Sequence, residues 1–213
     1  MEAGYGIECD VRLCAGGEVV VFHDETLDRL TLAKGAVAAK TPAELKGVAF
    51  RQGSDRIQTL GELLEQVCGR VPLVIELKSG WKEHGLLEKR TAQLLKRYSG
   101  KAAVMSFDPF CIKRFRGAAP ELPRGLVACR FRDRQDWPML NRWERFMMRH
   151  LLSSAVARPQ FIAYDIEGLP SLAPWAARRI FRLPLLTWTV RTPEQRRRAQ
   201  RHADAMIFEG FRP

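Results

Sequence analysis

The feature that most constrains the fold of this sequence is the alternation of short apolar runs with segments that carry helix-start signals. Helix starts are indicated at Thr41, Thr59, Asp108 and Thr192, where a capping residue precedes a proline or stands three residues before an acid. Strands that alternate with helices predict parallel βα units and the α/β class. The strand-like runs are GIECDV, VVVFHD, PLVIELK, AAVMSF, GLVACR, FIAYDI, LLTWTV and AMIFEG.

The connection between the first two runs is the exception to this alternation. The segment RLCAGGE is too short for a helical crossover, and Gly16–Gly17 suits a hairpin turn that would bring His23 opposite Asp10. Without the hairpin arm, seven strands remain, whereas a (β/α)₈ barrel needs eight strands and about 250 residues. We therefore expect a barrel that lacks one strand and one helix.

Length and composition indicate a single domain over residues 1–213. The hydrophobic content of 46% is enough for one large core. No apolar run approaches the ~20 residues that span a bilayer. The start lacks the features of a signal peptide, and five cysteines without a CxxC pair are typical of reduced thiols. A cytoplasmic location is expected from these features.

The net charge of +11 arises from 35 Lys and Arg against 24 Asp and Glu. Much of the excess lies late in the chain, in runs such as EQRRRAQRH, which are typical of solvated helix faces. Because no aromatic residues are interleaved with these runs for base stacking, we do not expect a nucleic-acid partner.

Charged side chains stand where two strands of the series end. Glu8 and Asp10 point to the same side of the first strand, and Glu76 and Lys78 have the same spacing in VIELK. In a barrel these ends line the active-site mouth, with His23 nearby. Carboxylate oxygens suit a hard divalent cation, and the lysine suggests a bound anion. A structural Glu–Lys salt bridge and a hydrogen-bonded structural histidine are the competing interpretations.

The same residues form part of a longer order of motifs. GIECDVRLCAGGEVVVFHDETLDRLT is followed by QTLGELLEQVCGRVPLVIELK, and VMSFDP, LLTWTV and DAMIFEGFRP come later. This order resembles the glycerophosphodiester phosphodiesterases, with their ExD strand, HD motif, TLxE helix and IExK strand. The resemblance covers nearly the whole chain, and the combined order of motifs is specific.

The resemblance implies a TIM barrel of the phospholipase-C-like phosphodiesterase type with a small insertion at about residues 25–55. It also implies metal-dependent hydrolysis of glycerophosphodiesters to sn-glycerol 3-phosphate and an alcohol, in lipid and glycerol metabolism. The expected residue roles are ligands of Mg²⁺ or Ca²⁺ for Glu8, Asp10 and Glu76, general acid/base catalysis for His23, phosphate binding for Lys78 and substrate binding near the glycerol end for Trp188.

The family's His-Arg-Gly strand, acidic PEN loop and first helix are not found in this sequence. A second catalytic histidine, a phosphate-binding arginine and a further metal contact are therefore expected to be missing from residues 1–213. None of His84, His150 and His202 stands in a matching context. Low activity and self-association through an exposed sheet edge are expected for the chain as given.

Three interpretations of the sequence stay open. The first is an active phosphodiesterase whose start lies upstream of Met1, and the second is a truncated, inactive relative that binds a metal or phospholipid head groups. The third is weak membrane-surface contact through RWERFMMRHLL. In that stretch Arg142, Arg145 and Arg149 fall near one helix face, while Phe146 and Met147 are expected to turn toward a core. An ordinary barrel helix is the competing interpretation.

Overall fold

A computed structural model describes residues 3–81 and 85–213 of the chain. His84 lies outside these residues. All eight predicted strands are confirmed. They are β1 (Ile7–Leu13), β2 (Val19–Val21), β3 (Leu73–Leu77), β4 (Ala102–Ser106), β5 (Arg124–Ala128), β6 (Phe161–Asp165), β7 (Leu185–Val190) and β8 (Ala205–Phe208).

Helices follow most of the strands, as the start signals predict. They are α1 (Pro42–Lys46), α2 (Leu60–Val67), α3 (Leu86–Leu95), α4 (Pro109–Ala118), α5 (Arg142–Arg149), α6 (Ser154–Ala157), α7 (Leu172–Arg179) and α8 (Pro193–His202). Thr41, Thr59 and Thr192 each accept a hydrogen bond from the backbone three residues on, in complete capping boxes. Within the described residues, no helix combines the length and the apolar character needed to cross a membrane.

The chain forms two compact units, one of Met1–Val104 with Arg114–Leu122, and one of Met105–Lys113 with Pro123–Pro213. The strand order is β2-β1-β3-β4 in the first unit and β4-β5-β6-β7-β8 in the second, since β4 has residues in both. β1 pairs in parallel with β3. In the second unit β5 pairs in parallel with β6, β6 with β7, and β7 with β8. The single domain over residues 1–213 stays a prediction.

The predicted hairpin is confirmed, because β2 runs antiparallel to β1 with Val11 opposite Val21. Gly16 and Gly17 in the turn both have positive φ, at 79° and 77°. This pairing covers Val11–Leu13 of β1, and the expected self-association through an exposed sheet edge stays a prediction. β1 lies between β2 and β3, and Val11 is completely buried.

The insertion after the HD motif packs into a small hydrophobic core that it shares with β2 and the residues around it. Phe22, Leu27, Val37, Leu45 and Ile57 are all buried in one hydrophobic cluster. Isolated backbone bridges, such as Thr26 with Ala36 and Thr31 with Phe50, hold the irregular chain around this cluster. The insertion is therefore a packed element that supports the residues next to His23.

The orientation of α5 differs from the sequence expectation. The prediction that Phe146 faces a core is wrong, because 46% of its surface is exposed. Met148 is the buried residue of α5, and Met147 is half-buried. Helical periodicity identifies two faces of α5, but it does not tell which of them turns inward.

Candidate active site

Three carboxylates converge on the adjacent strands β1 and β3, with Glu76 near the carboxyl end of β3 and Glu8 and Asp10 in the first half of β1. Glu8 and Asp10 are two residues apart on β1, so their side chains share one face, and Asp10 is the register partner of Glu76 on β3. One oxygen from each carboxylate lies within 4.8 Å of the others. The sequence prediction that Glu8, Asp10 and Glu76 meet is thus confirmed in geometry.

Lys78 provides the positive charge next to these acids. Its Nζ lies 2.6 Å from Glu76 Oε1 and 3.0 Å from Asp10 Oδ1. Burial acts to lower the pKa of Lys78, but the negative charges of Glu76 and Asp10 outweigh it and the pKa is raised. Lys78 is therefore a stable ammonium that bridges two of the three acids.

The cluster keeps an excess of negative charge despite Lys78. Burial raises the pKa of Glu8 to about 8, and the charges of Asp10 and Glu76 add to this effect. Burial also raises the pKa of Glu76, which Lys78 opposes. The three carboxylates provide only oxygen donors, which Mg²⁺ and Ca²⁺ prefer, and their joint negative charge exceeds the single positive charge of Lys78. These residues therefore fit a divalent cation.

His23 lies two residues after the end of β2, and its side chain contacts Asp24. The register places Phe22, not His23, opposite Asp10, and the Phe22 backbone N–H donates to the Asp10 carbonyl oxygen at 2.9 Å. The expected pairing is wrong by one residue because Phe22 is drawn into the core of the insertion. His23 still lies close enough to act toward a lower pKa of Glu76, as a minor effect after burial, Lys78 and Asp10.

Asp24 and Arg29 orient His23, a function that the sequence interpretation did not assign. His23 Nδ1 lies 2.6 Å from Asp24 Oδ1, and Arg29 donates to both Asp24 oxygens at 2.7 Å. The bidentate arginine is the largest cause that holds the pKa of Asp24 down at about 2. Asp24 is therefore a permanent carboxylate that engages Nδ1 and leaves Nε2 of His23 for chemistry. The only sequence signal for this was the acid after His23 and the arginine five residues later.

Trp188 belongs to the second unit and lies in an aromatic cluster there. Its ring packs edge-on against Phe107 at 5.5 Å, and Phe107 also contacts Phe131 and Trp137. The indole nitrogen of Trp188 is buried and has no hydrogen-bond partner in the part of the chain that the structure describes. A buried indole N–H usually has a partner, so this group is suited to a ligand oxygen.

A family model connects this geometry with known proteins. The model of the Glycerophosphoryl diester phosphodiesterase family matches residues 1–209. The chain belongs to this family. A glycerophosphodiester phosphodiesterase of Caldanaerobacter subterraneus subsp. tengcongensis is 32% identical over 190 residues, which cover 84% of this chain and 76% of that protein.

Coverage of other relatives is lower. A glycerophosphodiester phosphodiesterase of Bacillus altitudinis is 32% identical over 132 residues, which are 57% of this chain and 54% of that protein, so the match spans about half of its length. A solved phosphodiesterase of Oleispira antarctica, in complex with the product sn-glycerol-3-phosphate, has a TM-score of 0.75 at 19% identity. The match covers 96% of this chain and 81% of that structure. The predicted α/β fold of the barrel phosphodiesterases is confirmed by this likeness.

Proposed function

We propose that this phosphodiesterase-family chain carries a metal-dependent site for the hydrolysis of glycerophosphodiesters to sn-glycerol 3-phosphate and an alcohol. The observation that carries the proposal is the convergence of Glu8, Asp10 and Glu76 beside Lys78 on two adjacent strands. The product bound by the Oleispira antarctica neighbour supports the same product class. The reaction belongs to lipid and glycerol metabolism.

Glu8, Asp10 and Glu76 would hold the divalent cation, which we assign as Mg²⁺ or Ca²⁺ from the oxygen-only donor set. When bound, such an ion neutralises phosphate charge and polarises a phosphoryl oxygen. Lys78 adds a fixed positive charge beside the acids, and we assign to it the contact with the substrate phosphate.

The proton chemistry is assigned to Nε2 of His23. Its Nδ1 is engaged by Asp24, so the ring has one free nitrogen, which can accept a proton from the attacking hydroxyl or donate one to the leaving oxygen. In the second unit, the unpartnered indole N–H of Trp188 is assigned to a hydroxyl at the glycerol end of the substrate.

The test is an assay that detects sn-glycerol 3-phosphate after incubation with glycerophosphocholine, glycerophosphoethanolamine or glycerophosphoglycerol. It is run with Mg²⁺, with Ca²⁺ and with EDTA. We expect metal-dependent product that Glu8→Gln/Asp10→Asn abolishes. The matched control is Asp55→Asn/Glu65→Gln, which makes the same chemical changes at two exposed acids and should keep wild-type activity.

Two outcomes would contradict this assignment. Product formation that persists in EDTA would remove the metal from the mechanism. Metal binding by calorimetry without any product from the three diesters would instead favour the inactive relative that binds a metal or a head group. Because residues 1–213 contain one histidine in the family's motif context, we expect a rate roughly 10²–10⁴-fold below that of a site with an acid/base pair.

A further inference from the structure

Helix α5 turns an aromatic stripe away from the protein. Met148 is its buried residue, and at 100° per residue the opposite side of the helix carries Phe146, His150 and Trp143. Trp143 is 66% exposed and stacks on Phe146 with ring centroids 5.5 Å apart. Phe146 in turn contacts His150 at 4.5 Å. A large apolar surface is thus presented to the outside on one helix.

Arginines flank this stripe. A groove of about 290 Å³ beside α5 is lined by Arg130, Arg132, Arg142, Arg145 and Arg149, together with Phe131 and Phe146. Arg142, Arg145 and Arg149 follow helical spacing on one edge of the aromatic stripe. Across residues 3–81 and 85–213, none of these three forms a salt bridge with a carboxylate. These three guanidinium groups are therefore not engaged in an ion pair within the described residues.

A second exposed apolar surface begins where α5 ends. The Tyr164 hydroxyl donates a hydrogen bond to the Arg149 carbonyl oxygen at 3.3 Å and lies beside Ser171, which precedes α7. On α7, Leu172 is 77% and Trp175 is 53% exposed, one helical turn apart. In this region of the second unit, α5 therefore exposes Trp143 with Phe146, and α7 exposes Trp175 with Leu172.

We propose that this surface docks on a bilayer that contains anionic phospholipid, with the arginine groove receiving headgroup phosphates. We name Arg142, Trp143, Arg145, Phe146 and Arg149 the basic aromatic face. A helix with an aromatic and aliphatic stripe flanked by arginines lies in the plane of a membrane interface, where apolar groups enter the acyl boundary and guanidinium groups contact phosphates. Because the arginines give this face a positive charge, the complementary bilayer is an anionic one.

Nucleic acid fits this surface less well. Leu152, shortly after α5, and Leu172, at the start of α7, are exposed, and aliphatic side chains do not stack on bases. Trp143 and Phe146 also stack on each other, which occupies one ring face of each. The inference does not rest on the proposed hydrolysis, since none of its residues belongs to the acid cluster.

The test is co-sedimentation of the full chain with sucrose-loaded vesicles of phosphatidylcholine alone and of phosphatidylcholine with phosphatidylglycerol. We expect binding only to the anionic vesicles, weakened at high salt because Debye screening shortens the reach of the charges. Arg142→Gln/Arg145→Gln/Arg149→Gln should bind on the order of a hundredfold more weakly. Arg90→Gln/Arg97→Gln/Arg201→Gln removes the same charge from other exposed positions and should bind like the wild type.

Trp143→Ala/Phe146→Ala tests the apolar half of the proposal. Both side chains are exposed, so the variant should keep the wild-type circular dichroism and melting temperature while it loses vesicle binding. Equal binding by the wild type and either face variant would overturn the proposal, as would no binding to anionic vesicles at low salt. Binding of duplex RNA or DNA without vesicle binding, or a dimer in light scattering that Trp143→Ala/Phe146→Ala dissolves, would assign the face to those partners instead.

Discussion

The protonation of Glu8 should make stability depend on pH, because this carboxyl is buried next to other acids. Its pKa in the folded chain is about 8, against an ordinary value of 4.5, because of burial and then of the charges of Asp10 and Glu76. Between these two pH values the folded state binds more protons than the unfolded state. Stability without metal therefore falls as the pH rises from about 4.5 to about 8 and changes little beyond.

The pH dependence of unfolding tests this effect in Glu8→Gln. In EDTA, the wild type should lose on the order of 2–3 kcal/mol relative to Glu8→Gln between pH 5 and pH 8, once partial solvent screening is allowed for. Urea denaturation at several pH values measures the difference. Parallel curves for the two proteins would show that Glu8 is an ordinary carboxylate.

Asp24 should matter for catalysis through the position of His23. Asp24→Asn replaces the carboxylate that His23 Nδ1 contacts and leaves Arg29 with one acceptor oxygen instead of two. Loss of an orienting group of this kind lowers kcat by about a hundredfold with little change in KM. Kinetics and the pH–rate profile measure the effect, because a purely structural role would not move the pH profile.

Glu25→Gln is the matched control for Asp24→Asn. Glu25 is the next acid along the chain and is exposed, so its substitution should leave kcat and the pH profile unchanged. If both variants lose activity equally, the effect belongs to net charge near the site and not to the orientation of His23.

At the scale of elements, the insertion connects packing with the site. Leu27 is completely buried in the cluster that also contains Phe22. It stands between Asp24 and Arg29 in sequence, and its backbone N–H donates to the Gly35 carbonyl oxygen at 2.9 Å. Packing there holds the backbone from which Asp24 and Arg29 reach each other. The order of His23 thus depends on a hydrophobic cluster to which the insertion and Val20 of β2 both contribute.

Leu27→Ala should therefore lower both stability and activity. Removal of a fully buried leucine side chain costs about 2–4 kcal/mol, because the cavity is only partly filled by relaxation. Leu32→Ala is the control within the same insertion, since Leu32 is 68% exposed and its loss should cost less than about 0.5 kcal/mol. Urea denaturation of both variants measures the free energy of unfolding. Equal decreases in this free energy would show that Leu27 contributes no more to packing than the exposed Leu32.

The sequence predicts elements well where the signal is local. Caps such as Thr59 with Glu62 depend on contacts three residues apart, and the carboxylates of Glu8 and Asp10 share a face because strand side chains alternate. The one-residue shift at His23 and the outward turn of Phe146 depend on which competing side chain becomes buried. Phe22 and Met148 decide these two cases through distant contacts, which no local pattern records.

At the scale of the whole molecule, the proposed metal site would link metal binding to folding. The three acids come from segments separated by more than sixty residues, Glu8 and Asp10 on β1 and Glu76 on β3, so they converge only in the folded chain. A cation that binds the folded state and not the unfolded one stabilises it by mass action. The acids that repel one another without metal are also the groups that gain most from it.

A melting experiment with added metal measures this linkage for the complete chain. At a free Mg²⁺ or Ca²⁺ concentration of one hundred times Kd, the folded state gains about 2.7 kcal/mol. For a chain of this size that raises Tm by roughly 5–10 °C. Glu8→Gln/Asp10→Asn should melt at the same temperature with and without metal, whereas Asp55→Asn/Glu65→Gln should respond like the wild type. An equal rise in Tm for all three proteins would mean that the cation binds elsewhere, and the acid cluster would then be a structural ion-pair network around Lys78.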